Sequence, residues 1–278
     1  MTHASSSVPV SRGRSLLARR PAWFDPLALI ILIALVWEAA AQLGLLRPTR
    51  FPAPSRLITS FIELLIDGYP AGTTLGQHFG LTVQRIVGGF AISSLIALPL
   101  GLIIGWWPLL ERLTATIVAF CRSVATLSLL PLALVWFGTG EASKMFLIGY
   151  GCFWVLLSNV IAAVRQVDPV LIRAARTLDA STAEIFIRVV LPAAMPRIFA
   201  GARVALGVGF MVIVGAEMIG TVTGLGALIM EARTFYRSDI TLVGMAVLGA
   251  LGFLLTTGLE RLEAKLLPWR QRERRWSS

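Results

Sequence analysis

Long apolar runs separated by shorter polar stretches are the main pattern along this chain of 278 residues. A helix needs about 20 consecutive apolar residues to cross a bilayer. The pattern predicts an all-α polytopic membrane protein with six transmembrane helices, at about 27–46, 86–107, 114–137, 145–164, 198–219 and 240–259. The composition agrees, because 56% of the residues are hydrophobic and 14% are charged, whereas a soluble domain carries about 25% charged residues.

The first apolar run follows Asp25 and Pro26, two residues suited to the start of a helix. A cleaved signal peptide is the competing interpretation, because small residues at 39–41 stand near the end of the run. The length of the run and the spans that follow it favour a membrane helix. Further on, residues 55–66 predict an amphipathic helix at the membrane surface, and residues 67–80 predict a Gly-rich loop.

Glycine and proline mark two of the later spans. Gly101 and Gly105 give the second span a GxxxG face, which is typical of close helix packing in membranes. Pro131 is expected to kink the third span. A loop at 221–239 is predicted before the last span.

A polar and basic stretch, residues 171–192, interrupts the apolar pattern between the fourth and fifth runs. It has the signals of two short helices with a break near residues 178–180. Asp168 is the N-cap candidate of the first helix, and Pro169 takes its first position, where a missing N–H costs nothing.

The second helix of this stretch has its own start and stop signals. Ser181 and Glu184 have capping-box spacing, which predicts a helix start, and Pro192 is expected to end the helix. In a membrane protein such a helix pair must lie outside the hydrocarbon, and we expect it to face another molecule.

The distribution of Lys and Arg predicts the orientation of the chain. Seventeen of them lie at the two termini, in 108–113 and in 165–203, whereas the other loops carry six. The positive-inside rule places the first group, and both termini, in the cytoplasm. The predicted parts are a basic tail at 1–25, a six-span domain at 26–260 containing a cytoplasmic loop at 165–197, and a basic tail at 261–278.

The residues needed for several other functions are missing from the sequence. The two cysteines lie in apolar runs, and His3 and His78 are far apart, so no metal or catalytic set has the required spacing. Residues 138–144, GTGEASK, lack the spacing of a phosphate-binding loop. The net charge of +10 lies at the tails and in one loop, which favours acidic membrane lipid over nucleic acid as its neighbour.

Four ionisable residues fall at membrane depth, namely Glu38, Arg85, Arg122 and Glu217. Such residues are costly in lipid and usually face the interior of a bundle. Arg122 is a candidate for lining the path of an anion; the alternatives are an ion pair with an acid such as Glu217 or contact with the cytoplasmic interface. Glu217 is a candidate for the same path or its gate, or else a helix-end carboxylate that reaches water.

The helix pair resembles the cytoplasmic signature loop of ABC-importer permeases. Ala174-Ala175 match the alanine pair of that loop, Ile187 matches its isoleucine and Leu191-Pro192 match its end. Four further stretches resemble the nitrate/sulfonate/taurine branch of the family, namely FPAPS (51–55), PLALVWFGTGEASKMFLI (131–148), VDPVLIRAARTLDAS (167–181) and GAEMIGTVTGLGALIMEA (215–232).

The resemblance implies a type I importer permease in the bacterial cytoplasmic (inner) membrane, which carries a small anion such as an aliphatic sulfonate, taurine or nitrate. Its implied partners are a cytoplasmic ABC ATPase that holds ATP-Mg, a periplasmic or lipid-anchored substrate-binding protein, and a second copy of the chain. The chain itself would be no enzyme and bind no cofactor. The implied ATPase-coupling residues are Arg173, Ala174, Ala175, Asp179, Ser181, Ala183, Glu184, Phe186, Arg188, Leu191 and Pro192.

Two residues depart from the family pattern. Arg173 stands where the family has glutamate, and Asp179 stands where it has glycine. The first reverses a charge on the coupling surface; the second is milder, because Asp tolerates a left-handed turn better than most residues. A stand-alone secondary carrier or channel is the alternative function, but it predicts two similar halves or matching interrupted helices, which the sequence lacks.

Overall fold

The computed structural model describes residues 24–47, 49–70 and 72–268. Residues 1–23 and 269–278, which hold most of the two predicted tails, lie outside the described residues. The described chain is helical, in the order α1 Phe24–Gln42, α2 Pro54–Ile66, α3 Leu75–Trp106, α4 Pro108–Ser123, a 3₁₀ turn Thr126–Leu129, α5 Leu130–Phe137, α6 Glu141–Arg165, α7 Pro169–Thr177, α8 Thr182–Ile185, a π turn Phe186–Val190, α9 Leu191–Gly220, α10 Leu225–Thr234 and α11 Ser238–Leu266.

The chain divides into two compact units, residues 1–56 and 57–278. In the first unit, Glu38 on α1 accepts hydrogen bonds from Ser55, through its backbone N–H at 3.0 Å and its hydroxyl at 2.8 Å. The α1 helix covers most of the predicted first span. Its apolar segment Ile31–Gln42 is shorter than a membrane span.

Four helical runs among the described residues are long and apolar enough to cross a membrane, namely Leu75–Trp106, Glu141–Arg165, Thr182–Gly220 and Ser238–Leu266. A fifth crossing is possible if α4 and the 3₁₀ turn with α5, which meet at 80°, count as one broken span. The prediction of an all-helical polytopic membrane protein is therefore confirmed.

Four predicted features differ from the structure. The α3 helix begins at Leu75, within the predicted loop 67–80, because Thr74 and Gln77 form a capping box. Residues 108–113 belong to α4, and the third span is not kinked at Pro131. It breaks earlier, at Val124, whose backbone is extended, and Pro131 lies in the first turn of α5, where its missing N–H is harmless. The predicted loop 221–239 contains α10.

Pro192 does not end its helix, contrary to the prediction. It lies in the first turn of α9, and helical structure runs without a break from Thr182 to Gly220. In the π turn just before it, the N–H of Leu191 bonds to the carbonyl of Phe186, five residues earlier. This wider turn relieves the clash that a proline ring makes inside a regular α-helix.

The second unit is organised around α3, α6 and α9, which pack side by side. A Cβ atom added to Gly101 would lie 2.7 Å from Val160 Cβ, and one added to Gly105 would lie 2.9 Å from Val164 Cβ. The GxxxG face of α3 therefore lies directly against α6, as predicted. Arg237 ties α2 to the start of α11 through Glu63, at 3.2 Å, and its hydrogen bonds to Asp239 raise the pKa of its guanidinium.

Candidate functional site

The docking pair, which we define as residues 169–190 (α7, α8 and the π turn after α8), begins as the sequence predicts. Asp168 accepts a hydrogen bond from the backbone N–H of Val170 at 2.8 Å, with Pro169 in the first turn of α7. After Thr177 the chain reverses through Asp179, whose φ of 54° is left-handed. Asp is one of the few residues other than glycine that adopt this conformation readily, so the departure at 179 preserves the turn.

The second helix of the docking pair is held by its predicted capping box. The backbone N–H of Glu184 donates to the Ser181 hydroxyl at 3.3 Å, and the Ser181 N–H donates to the Glu184 carboxylate at 3.0 Å. Arg188 lies one turn further on, 3.8 Å from Glu184. Two of the orphan N–H groups of the helix start are thereby satisfied without help from a partner.

The predicted coupling residues lie on two different faces of the docking pair, one exposed and one packed against this chain. Arg173, Ala174 and Ala183 are exposed, whereas Ala175 is buried. Phe186 is half-buried and meets the Trp106 ring edge-on, with centroids 5.2 Å apart.

Leu191 and Pro192 are also half-buried, so Phe186 and its neighbours pack against this chain's own helices. Two large exposed apolar side chains lie outside the predicted coupling residues. They are Leu178, which is 83% exposed, and Ile187, which matches the family's isoleucine and is 60% exposed. Phe186 and Ile187 are neighbours in the π turn, and their amphipathic position around the helix axis is the signal that distinguishes them.

The far end of α9 reaches a group of charges that we call the ionic cluster, namely Arg85, Glu141, Lys144 and Glu217. Three of them are buried, and Glu141 is exposed. Arg85 is 1% exposed and binds Glu141 through Nε and Nη2, at 2.6 and 2.7 Å. Its Nη1 binds Glu217 at 2.7 Å and the carbonyl of Thr223 at 2.8 Å. Lys144 adds a contact of 3.1 Å to Glu141, so two cations face two carboxylates.

Glu217 is completely enclosed. Its carboxylate accepts bonds from the Thr82 hydroxyl at 3.0 Å, from Arg85 and from the backbone N–H of Gly226 at 3.0 Å. Its partner is therefore Arg85 rather than Arg122, and the expectation that it reaches water at a helix end is wrong. A fully buried carboxylate also does not line an open path in this structure.

The first N–H groups of α10 are bound by side chains of other helices. Besides Glu217 on Gly226, the Thr82 hydroxyl accepts from Leu225 N–H at 2.9 Å. The N–H of Gly224 lies 3.0 Å from Nδ1 of buried His78, whose Nε2 lies 3.0 Å from the carbonyl of Tyr69. Sequence reasoning treated His78 only as an isolated histidine, because its partner at 224 is remote in the chain.

Arg122 lies apart from the ionic cluster, in a cleft of about 240 Å³ between α4 and α6. Its Nη1 donates to the Ser158 hydroxyl at 3.4 Å. Glu111, the acid that lines the same cleft, is paired with Arg165. Within the described ranges Arg122 thus has no carboxylate partner, and the residue is exposed.

Neither site has the residues of a metal centre. In the part of the chain that the structure describes, no three His, Cys, Asp or Glu side chains are grouped so that they hold a metal ion. The arrangement provides two other things: an exposed helix pair joined to a membrane-length helix, and a cationic cleft beside a break in a span.

Known proteins match this chain along most of its length. It is 35% identical to the taurine transport system permease protein TauC of Escherichia coli (strain K12), over 91% of this chain and 94% of that protein. It is 31% identical to the putative aliphatic sulfonates transport permease protein SsuC of Bacillus subtilis (strain 168), over 91% and 90%. It is 29% identical to the bicarbonate transport system permease protein CmpB of a Synechocystis strain, over 90% and 91%.

The fold also matches solved structures. An inward-facing structure of the MetNI methionine ABC transporter superimposes with a TM-score of 0.59 and 20% identity, over 69% of this chain and 95% of that chain. A second inward-facing crystal form gives a TM-score of 0.57. These matches confirm the type I importer permease fold.

A family model covers residues 97–268, which include α4 to α11, the docking pair and Arg122. Its description is the binding-protein-dependent transport system inner membrane component. The matched relatives are permease subunits rather than enzymes. This chain belongs to the binding-protein-dependent transport system inner membrane component family, and it is an ABC-importer permease.

Proposed function

We propose that this permease imports a small anion, of the aliphatic sulfonate, taurine or nitrate type, and that a separate ATPase drives it through residues 168–192. The observation that carries the proposal is the continuous helical run Thr182–Gly220, which begins in the exposed docking pair and continues through the membrane-length α9. A partner that displaces α8 displaces α9 with it, because no loop lies between them. The names of the matched relatives support the substrate class.

The docking pair offers the ATPase a small apolar surface with basic neighbours. Ala174 and Ala183 allow close approach, and the exposed side chains of Leu178 and Ile187 supply apolar area for burial. Arg173 is exposed and joins this surface in place of an acid. Ser181 and Glu184 keep the start of α8 rigid, so that force on the pair is not lost to fraying.

Co-purification tests the ATPase contact. The chain is co-expressed with the ATPase and the binding protein of its own transport system, and Leu178→Asp and Ile187→Asp are expected to lose most of the bound ATPase. Val222→Asp is the matched control, because Val222 is 80% exposed and lies beyond the opposite end of α9. Uptake by the wild-type chain without any ATPase would instead support a stand-alone carrier.

Arg122 is proposed to line the anion path. Two features support this role. Arg122 lies in a cleft without an acid partner among the described residues, and the span beside it is broken, with Ser123 and Ala125 exposed. Irregular backbone at membrane depth is tolerated where it is buried in protein or lines water. A second copy of the chain would complete this path from the other side.

Arg122→Gln tests the path. We expect anion uptake to fall by about tenfold or more, an effect the size of losing one charge-assisted hydrogen bond, while Arg122→Lys retains part of it. Arg112→Gln, an exposed arginine on the same helix, is the control. Normal uptake by Arg122→Gln at normal expression would remove Arg122 from the path.

The orientation is part of the proposal: both termini and the docking pair lie in the cytoplasm, with tails at 1–25 and 261–278 flanking the membrane domain. The positive-inside distribution supports it. The loops at the opposite end, around α10, would then meet the substrate-binding protein. A periplasmic reporter fused after Val164 is expected to be inactive, and an active fusion would reverse the assignment.

A further inference from the structure

Side chains of other helices form hydrogen bonds to the backbone at the start of α10. The N–H groups of Gly224, just before the helix, and of Leu225 and Gly226, its first two residues, are each bound by a side chain of α3 or α9, at 2.9 to 3.0 Å. Local capping by a flanking Ser, Thr, Asp or Asn is the usual way to satisfy such groups. Here α10 has no cap of its own, so its position depends directly on α3 and α9.

Glu217 packs so closely against the start of α10 that no side chain fits at two glycines there. A Cβ atom at Gly224 would lie 2.4 Å from the carboxyl carbon of Glu217, and one at Gly226 would lie 2.8 Å from Glu217 Cβ. The φ of Gly224 is +118°, a conformation that other residues rarely adopt. The backbone at the start of α10 is therefore in direct contact with the α9 side chain.

Glu217 is also held from the other side. All three guanidinium nitrogens of Arg85 are engaged, with Glu141 on α6, Glu217 on α9 and Thr223 in the loop before α10. A buried charge in such a network is not released without exposing an uncompensated ion. The ionic cluster thus joins α10 to three membrane helices at one point.

The same α9 helix leads to the docking pair. Glu217 lies in the last turn of α9. The continuous helical run that includes α9 begins at Thr182, beside the Ser181 cap. A helical run of 39 residues is about 58 Å long at about 1.5 Å per residue. One continuous element therefore connects the start of α10 with the exposed α8.

The end of the molecule around α10 presents exposed apolar side chains. Val222 is 80%, Phe235 64% and Tyr236 85% exposed, whereas most of α10 itself is buried. Tyr236 has a φ of 57°, which is unusual for an aromatic residue. Aromatic side chains held at a surface are enriched in protein interfaces, and this end lies opposite the docking pair along α9.

We infer that Glu217 is a positioning residue that transmits docking of the soluble substrate-binding protein at the α10 end to the ATPase at the docking pair. The inference rests on the proposed function. Binding at Val222, Phe235 and Tyr236 displaces α10, and the Glu217 contacts pass that displacement to α9. Thr82 acts in the same link, because its hydroxyl contacts both Glu217 and the N–H of Leu225.

The test measures ATP hydrolysis by the complete transporter in lipid nanodiscs, with and without its binding protein. In Glu217→Gln we expect basal hydrolysis to stay within about twofold of wild type, while stimulation by the binding protein falls by about tenfold, within the range of coupling between two sites. Glu263→Gln is the matched control, a buried acid on α11 that pairs with Arg203, away from α10. It is expected to keep its stimulation.

Thr82→Val removes the hydroxyl that Glu217 and Leu225 share, at nearly constant volume. It provides the same test if the Glu217→Gln transporter does not assemble. We expect it to lose stimulation as well, and Thr82→Ser to restore it. Full stimulation in Thr82→Val, or in an assembled Glu217→Gln complex, overturns the inference. A wild-type chain that binds no ATPase overturns the proposed function itself, which is a different result in the same preparation.

Discussion

Arg85 on α3 and Glu141 at the first position of α6 form two parallel hydrogen bonds, at 2.6 and 2.7 Å. This fork geometry is the strongest that an arginine and a carboxylate adopt. The Arg85 side chain is 1% exposed, whereas that of Glu141 is 52% exposed. The buried arginine is therefore shared between an acid at the surface and the enclosed Glu217.

Removing Arg85 is expected to destabilise the protein strongly. Arg85→Gln leaves Glu217 buried without its countercharge, and breaking such a pair costs about 3–5 kcal/mol. Thermal unfolding in detergent is expected to show a much lower Tm, whereas the exposed Arg112→Gln is expected to unfold near the wild-type temperature. Equal Tm values for the two variants would show that the ionic cluster adds nothing to stability.

The contact between α3 and α6 is tested at Gly101. In Gly101→Ala the added methyl group would lie 2.7 Å from Val160, and such overpacking costs about 1–3 kcal/mol. Gly149→Ala is the control, because a Cβ atom there meets nothing within 4 Å. It is expected to be neutral or slightly stabilising through helix propensity. A stable Gly101→Ala protein would mean that the two helices are not in close contact.

Phe186 and Ile187 are adjacent but are expected to behave differently. Phe186→Ala removes the ring that packs on Trp106, so the loss of stability is expected to be about 2 kcal/mol, below the value of about 3–5 kcal/mol for a fully buried ring. Ile187→Ala is expected to leave the Tm unchanged and to weaken ATPase binding. If instead Ile187→Ala lowered the Tm and Phe186→Ala only weakened ATPase binding, then Ile187 would be the packing residue and Phe186 the contact with the ATPase.

The capping box of α8 is expected to contribute locally. Ser181→Ala removes the acceptor for the N–H of Glu184, at a cost of about 1 kcal/mol. Hydrogen exchange is the measurement, because faster exchange is expected at residues 182–185 and not in α9. Ser123→Ala is the control, since its hydroxyl only bonds back to the carbonyl of Ala119 in the same helix.

Local signals explain what the sequence predicts well. The caps at Asp168 and Ser181 depend on residues two or three positions away, and both form as expected. The Thr74–Gln77 capping box has the same spacing and starts α3, although the glycines around it favoured a loop.

Contacts between distant residues explain what the sequence does not predict. Arg85 and Glu217 are 132 positions apart, and no periodicity indicates which acid among several an arginine meets. Pro192 illustrates a second limit, because a π turn that accommodates proline depends on the path of the whole helix. Tertiary packing, rather than propensity, decides both cases.

The break between α4 and α5 has a consequence for how the protein is made. The two helices have 16 and 8 residues, or about 24 and 12 Å at about 1.5 Å per residue, so neither alone spans a hydrocarbon core of about 30 Å. The carbonyl of Cys121, near the end of α4, is bound by the hydroxyl of Tyr150 on α6. We therefore expect this segment to become a stable part of the membrane domain only after α6 has been synthesised.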